Sequence, residues 1–541
     1  MTERASRSNA EQAFQQRHAK LWAQGAGLVR QQRWDEAADC FLQLLVLAPG
    51  DVAAMVQAAH LLLRQDHYRQ ALALAKQAAD ARPVESPDAA VQIAILLRRF
   101  EQSEDIQRLF AATAWDRCRS APLLTEAARL LMNSAQPAGA LTMVDHALAV
   151  DPQYPHGHYL RGCILAAAGN APGAAIALQR SLTLAPDAAH THWMLSWQRS
   201  GPSPTAEDLQ RLMQLMRAAP PDSQARAYLA YALHNHLHRA RQYDASWETL
   251  ESALQAKRLA VPYSAVAMDQ LFGRLLALQW PALPSAAPHP ADPLPIFIVG
   301  MHRSGTTLLE RLLAGHGSVT DGGETQVVRA KLSEATDHYC SEVIDATVLD
   351  RLDRVDWVAL GDALRASNRW RAHGRAALTE KLPSNYLAVG LIARALPEAR
   401  FLHMQRDPVD TCFSNLRTFF GHAAPYSNDQ QQMADYYVQY RGLMAHWQAC
   451  LPGRILDIDY AALVDDPDTQ MRRVMAFCGL QFEPQSLDVG RSGGSVATAS
   501  LADVRDGISK DRGGAWRPYQ ARLMPLLKTL QTTNAVTLPA P

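Results

Sequence analysis

A chain of 541 residues, 48% of them hydrophobic and 20% charged, is too long for one ordinary core and too apolar to be disordered, so about two to four packed units are expected. Lysine plus arginine and aspartate plus glutamate balance at 53 each, which leaves no global field for nucleic acid or an anionic membrane and makes any anion site local. The seven cysteines are odd in number and form no CxxC pair, which points to reduced thiols in place of disulfides or zinc ligands.

The first residues, MTERASRSNAEQAFQQRHAK, are polar and hold no apolar core of a secretory signal, so residues 1–14 are expected to be disordered and the protein cytoplasmic. No uncharged run reaches the roughly 18 residues that would span a bilayer, and no membrane span is expected.

Prolines then recur at a fixed distance. Pro49 and Pro83 lie 34 residues apart, as do Pro152, Pro186 and Pro220, and Ala37/Ala71 and Ala140/Ala174 keep the same beat. Each unit, such as RGCILAAAGNAPGAAIALQRSLTLAPD, predicts two amphipathic helices around a Gly-Asn turn, with a proline that ends the second. Self-similarity of this length resembles tetratricopeptide repeats over residues 15–255, with a degenerate unit near 100–120. The segment from Tyr228 to Lys257 has the same pattern and is expected to cap the array, so that 15–280 forms a helical solenoid. His234, His236 and His238 alternate on that helix, which spreads them around it and argues against a metal site. PALPSAAPHPADPLP, residues 281–295, has six prolines and no periodicity, as a stiff linker would.

After the linker, IFIVG is an apolar run suited to a central parallel strand covered on both faces. It enters Gly300-Met301-His302-Arg303-Ser304-Gly305-Thr306-Thr307 and then the helical LLERLLAGH. Strand, glycine turn and helix start aim several backbone N–H groups and a positive helix end at one anion. Thr306 stands where a nucleotide triphosphatase has its loop lysine, which favours a donor carrying fewer phosphate charges. The stretch resembles the 5′-phosphosulfate loop of the sulfotransferase family, PRSGTT, with His302 in place of the proline. That resemblance implies donor binding by Arg303, Ser304, Gly305, Thr306 and Thr307.

The remaining motifs follow in the family's order. Asp321-Gly322-Gly323-Glu324-Thr325 resembles the GGET-like motif of tyrosylprotein sulfotransferases, in which the glutamate removes the acceptor proton, so Glu324 takes that part by position. Glu380-Lys381-Leu382-Pro383-Ser384-Asn385 resembles the lysine-bearing strand end; Lys381 would face the moving sulfuryl group, the plain alternative being a surface lysine before a proline turn. In ARFLHMQRDPVDTCFSNLRTFF, strand, turn and helix carry Arg406 and, eight residues on, Ser414, a charge and a hydroxyl suited to a second phosphate. In the family these positions bind the 3′-phosphate of 3′-phosphoadenosine 5′-phosphosulfate. RILDIDYAALV resembles the family's YEdL element with Ala461 for glutamate, and Tyr460 is either an adenosine contact or a core tyrosine.

VATASLADVRDGISKDRGGAWRPYQARL resembles the closing segment over the donor, with Ser500 near the sulfuryl group. Ala515 stands where relatives place a basic residue, so Lys510 or Arg512 would supply the charge, and Gly513 and Gly514 suggest a movable lid.

The resemblance covers residues 292–530 and, with the repeats, matches bacterial tetratricopeptide-repeat sulfotransferases. The fold class expected is therefore multidomain, an all-α solenoid followed by an α/β P-loop-like sulfotransferase domain at 296–530 with a central parallel sheet, and a tail at 531–541. The resemblance implies transfer from 3′-phosphoadenosine 5′-phosphosulfate, without a metal, to an acceptor hydroxyl. Glu324, Lys381, Arg303 and Ser500 would be catalytic, and the favoured acceptor is a tyrosine of a polypeptide recruited by the repeats. Two rivals are a kinase or nucleotide hydrolase, with Asp457 and Asp459 offered to magnesium, and a non-catalytic repeat scaffold.

Overall fold

The computed structural model describes residues 2–81, 86–198, 204–278, 292–489 and 513–533. The repeat region is built of α1 (Thr2–Arg30), α2 (Trp34–Leu47), α3 (Val52–Arg64), α4 (Tyr68–Asp80), α5 (Pro87–Arg99), α6 (Ser103–Ala112), α7 (Ala121–Asn133), α8 (Pro137–Val150), α9 (Pro155–Ala167), α10 (Ala171–Leu184), α11 (Ala189–Trp197), α12 (Ala206–Ala218), α13 (Gln224–Arg239), α14 (Tyr243–Ala260) and α15 (Ala265–Ala277). Helix pairs alternate at the repeat spacing, as the proline beat predicts. Ala37, Ala71, Ala140 and Ala174 are all fully buried, where only a small side chain lets two helix backbones approach.

A single backbone device closes most pairs. Gln32, Asp66, Glu101, Ala135, Gly169 and Arg241 each have positive φ in the turn inside a pair. The N–H of the following residue donates to a leucine carbonyl five residues back, on Leu28, Leu62, Leu97, Leu131, Leu165 and Leu237 respectively. These are Schellman closures, which satisfy carbonyls that a helix end would otherwise leave open. In the degenerate unit α6 stops at Ala112 and a short 3-10 turn, Trp115–Arg117, follows.

The carboxyl-terminal part carries β1 (Leu294–Gly300), α16 (Thr306–Ala314), β2 (Val319–Asp321), α17 (Val327–Thr336), α18 (Ala346–Asp350), α19 (Trp357–Ala372), β3 (Ala377–Glu380), α20 (Val389–Ala395), β4 (Arg400–Gln405), α21 (Pro408–Leu416), α22 (Gln430–Cys450), β5 (Ile455–Asp459), α23 (Tyr460–Asp465) and α24 (Pro467–Phe477). The five strands form one sheet in the order β2-β3-β1-β4-β5, with every pair parallel. Burial of β1 on both faces, from Pro295 to Gly300, is what its unbroken apolar run requires. On one face Ile296 and Ile298 pack with Leu309, Leu312 and Leu313 of α16 and Met471, Val474 and Met475 of α24. Phe297 stacks on Phe401 of β4, with ring centroids 5.5 Å apart. Each such side chain contributes about 2 kcal/mol by leaving water.

Two compact units result, and they interleave the sequence. One comprises residues 1–152 and 329–356; the other comprises 153–328 and 357–541. In the first, the 329–356 segment is tied to the early repeats. Asp66 accepts from the Tyr339 N–H at 3.0 Å and from Arg351 at 2.7 Å and meets His338 at 2.5 Å, while Arg69 donates to the carbonyls of Glu334 and Ala335. In the second, α13 and α14 share a core with the sheet region: Tyr231 donates to the Leu416 carbonyl at 3.0 Å, and Tyr519 bonds His238 and Ser246.

Three boundaries differ from the sequence reading. Helix α1 includes residues 2–14, because Ala, Glu, Gln and Arg are good helix formers and a polar composition does not prevent a helix from extending. Leu294 and Pro295 belong to β1 and not to the linker, since Leu294 N–H already pairs with the Ala376 carbonyl. The final helix, Met524–Thr532, runs past residue 530. Pro83, most of the proline-rich linker, Ser500, Lys510 and Arg512 lie outside the described residues. Among the described residues, no helix is long and apolar enough to cross a membrane.

Candidate active site

Every strand delivers a candidate residue just past its carboxyl end. Arg303 follows β1, Glu324 follows β2, Lys381 follows β3, Arg406 follows β4 and Tyr460 follows β5. Parallel sheets bind ligands at this edge, because the helix starts and loops there all open on the same side.

The loop after β1 is held open by its glycines. Gly305 has φ +106°, and a β-carbon there would lie 2.4 Å from Cδ2 of Tyr460, so the ring occupies the space that a side chain would need. Arg303 also has positive φ, at 69°, and the Ser304 N–H donates back to the Met301 carbonyl at 3.2 Å, so the chain turns tightly ahead of α16. Ser304, Thr306 and Thr307 are buried, and the Ser304 hydroxyl has no hydrogen-bond partner among the described residues. A buried hydroxyl without a partner, next to the start of a helix, fits an anionic oxygen.

Arg303 ties the two proposed phosphate sites together. Its Nε donates to Ser414 Oγ at 3.1 Å, and its carbonyl accepts from Arg406 at 3.4 Å. Arg406 and Ser414 therefore meet through Arg303, whereas spacing alone suggested direct cooperation. The Arg406 guanidinium also lies over the Tyr460 ring, 4.8 Å from its centroid, which places Tyr460 against the loop. Asn415 donates to the His302 carbonyl at 2.7 Å and so braces the loop from α21.

The GGET-like loop is fixed by close approach. At Gly322 a β-carbon would come within 2.1 Å of the Thr379 carbonyl, and the Gly322 N–H bonds that oxygen at 3.0 Å. Lys381 N–H donates to the Gly323 carbonyl at 2.9 Å, joining the loop to the end of β3. Glu324 is thereby brought to Lys381, with Oε1 and Nζ 2.5 Å apart; Lys381 is 0% exposed and Glu324 is partly open to solvent. Lys381 is thus no surface lysine.

Sequence reasoning missed Glu310. This carboxylate is 1% exposed on α16, accepts from Gly323 N–H at 3.1 Å and from the Thr379 hydroxyl at 3.2 Å, and stands 3.8 Å from Lys381 Nζ. Burial pushes its carboxyl up to about 7, with Lys381 pulling the other way. A signal was present, since Glu310 falls four residues after Thr306, on the helix face that otherwise buries leucines. Trp197 was also missed; its ring lies 5.7 Å from the Arg303 guanidinium.

Partly exposed His302 packs near Phe420, with ring centroids 5.2 Å apart. Burial, then the Lys381 and Arg303 cations against the opposing Glu324, pushes its imidazole down to about 4, so it is neutral at physiological pH. In the carboxyl-terminal segment, Gly514 has φ +75° and its N–H bonds both Asp410 oxygens, at 2.8 and 3.0 Å. The carboxylates offered to magnesium are otherwise engaged. Asp457 pairs with His403 and accepts from Gln448, and Asp459 caps α23 through Ala462 N–H.

The fold and this edge define an α/β protein with a parallel sheet whose polar groups gather at the carboxyl ends of its strands. Residues 295–484 match the model of the sulfotransferase family. An uncharacterized protein of Aquifex aeolicus (strain VF5) is 29% identical over 339 residues, covering 60% of this chain and 44% of its own length. The chain thus spans less than half of that relative. A Caenorhabditis briggsae protein described as "Putative protein-tyrosine sulfotransferase" is 28% identical over 200 residues, covering 36% of this chain and 68% of its own. Among solved structures, the sulfotransferase domain from the curacin biosynthetic pathway is 18% identical, with a TM-score of 0.31, over 46% of this chain and 99% of its own.

Proposed function

We propose that the protein transfers the sulfuryl group of 3′-phosphoadenosine 5′-phosphosulfate to an acceptor hydroxyl, favouring a tyrosine of a polypeptide recruited by the repeats. The observation that carries this reading is the Glu324–Lys381 pair beside the loop at the carboxyl edge of the sheet. Glu324 takes the acceptor proton on its open oxygen, and the acceptor oxygen attacks sulfur in line. As that sulfur–oxygen bond forms, the bond from sulfur to the bridging oxygen breaks, and its electron pair stays with the leaving 3′,5′-bisphosphate. Lys381 and Arg303 meet the negative charge that collects there, the loop N–H groups hold the sulfuryl oxygens, and Arg406 with Ser414 takes the 3′-phosphate. Tyr460 lies on the adenosine side. Ser500, Lys510 and Arg512 remain assigned from the family resemblance alone.

A part for the repeats is supported by Trp197 of α11 lying over Arg303. Trp193, its ring centroid 6.3 Å from that of Trp197, joins Tyr228 and Phe419 in a half-buried aromatic group, with Tyr228 and Phe419 centroids 4.4 Å apart. Turnover of labelled donor with a phenol tests the reading. Glu324→Ala is expected to lower kcat by at least about 100-fold, and equal rates in both proteins would refute the base assignment. Tyrosine peptides are expected to exceed the free phenol in kcat/KM by about tenfold or more; parity would remove the polypeptide from the proposal.

A further inference from the structure

We propose that Glu310 is a positioning residue for proton removal, fixing the loop that carries Glu324 and serving as the second anion available to the Lys381 ammonium. This deepens the sulfotransfer reading and rests on it.

The geometry gives Glu310 two tasks. One oxygen, Oε1, accepts from Gly323 N–H at 3.1 Å and from the Thr379 hydroxyl at 3.2 Å, which anchors the residue next to Glu324. The other oxygen, Oε2, stands 3.8 Å from Lys381 Nζ, on which Glu324 closes at 2.5 Å. A fully buried ammonium depends on an anionic partner. When Glu324 receives the acceptor proton it becomes neutral and loses its hold on Lys381. Glu310 then keeps the ammonium paired while it turns to the bridging oxygen.

The charged groups facing Glu310 are Lys381 beyond β3, Asp321 at the end of β2, Glu324 in the loop, and Arg311 on its own helix. Burial, together with Asp321 and Glu324, raises its carboxyl to about 7, against Lys381 and the Gly323 N–H. Below that pH Glu310 is neutral, and Lys381 clamps Glu324 alone. Above it the two carboxylates share the ammonium and the base is released. The acid limb of kcat/KM for the acceptor should therefore report Glu310.

Glu310→Gln keeps an oxygen for Gly323 N–H and Thr379 but removes the titrating charge. The expected result is an unchanged melting temperature or a higher one, bisphosphate affinity within about twofold, kcat lowered about tenfold, and a flattened acid limb near pH 7. Glu310→Ala, which also frees the loop, should fall further. An unchanged profile and kcat in Glu310→Gln would overturn the inference. A second readout needs no turnover: in full-length protein labelled at glutamate carboxyl carbons, one resonance should titrate near pH 7 and vanish in Glu310→Gln. Its absence from the wild type would also overturn the inference. A wild type that shows the titration but forms no sulfonated product rejects the sulfotransfer reading, and with it the role in proton removal.

Discussion

The turns of the repeats and the loop after β1 use the same backbone conformation under opposite constraints. Among the described residues of the repeats, positive φ is adopted by Gln32, Asp66, Glu101, Ala135 and Arg241 and only once by glycine, at Gly169, where nothing lies within 4 Å of the position a β-carbon would take. In the loop, Gly305 has positive φ and the Tyr460 ring fills the space a side chain would take. A Schellman turn therefore costs only local backbone strain, whereas the loop glycine is required by what packs on it. Positive φ marks regular architecture in one region and close packing of a ring on the backbone in the other.

Substitutions can break or sharpen this contrast. The largest effect is expected at Gly305→Ala, where the clash with Tyr460 must displace the ring or the loop; turnover should fall more than about 100-fold, with loss of bisphosphate binding by calorimetry. Wild-type binding in that variant would mean that the loop is as tolerant as the repeat turns. Asp66→Asn tests a repeat turn whose side chain is in use. Although burial opposes it, the Tyr339 N–H, His338 and Arg351 hold the Asp66 carboxyl below its ordinary value. A depressed carboxylate contributes stability that is present above its unfolded pKa and is lost as pH falls through the folded one. Half-exposed as the group is, the expected loss is about 1 kcal/mol near neutrality, vanishing in acid, read by denaturant melts across pH. Gly169→Ala meets no neighbour and should cost about 1 kcal/mol of backbone strain alone. Smallest of all, Ala135→Gly should relieve that strain and stabilise by a few tenths to about 1 kcal/mol, offset by the added freedom of the unfolded chain.

Glu310 supplies a pH test on the other side of the contrast. Its pKa is raised to about 7 by burial, so the stability tied to its protonated form is full below the ordinary carboxylate value and is lost as pH rises through about 7. Glu310→Gln should therefore gain stability over the wild type at pH 8 and lose that advantage near pH 5, seen as crossing or converging melting curves.

Much of this was legible in the sequence because its signals are local. The 34-residue beat gave the helix pairs, and the apolar run IFIVG with its glycine turn gave a central strand and loop. Residues at strand ends were found because motifs there are short and ordered along the chain. Arrangements made by distant segments were not legible. Glu310 reads locally as one charge in an amphipathic helix, and only the sheet places Gly323, Thr379 and Lys381 around it. The link from Arg406 to Ser414 through Arg303 depends on a turn of α21 that spacing cannot supply. Likewise nothing in residues 329–356 announces that they pack with the early repeats, because the contacts are made by carbonyls and by side chains of Asp66 and Arg69 far off in sequence.

The central claim is that the carboxyl edge of the sheet binds a nucleotide bearing both 5′ and 3′ charged groups. Titration calorimetry of the full chain with adenosine 3′,5′-bisphosphate, set beside magnesium ATP, tests it most directly. The account predicts that the bisphosphate binds at least about tenfold more tightly than magnesium ATP and that Arg406→Ala removes most of that preference. Tighter binding of magnesium ATP, or an Arg406→Ala protein that binds the bisphosphate as the wild type does, would contradict it.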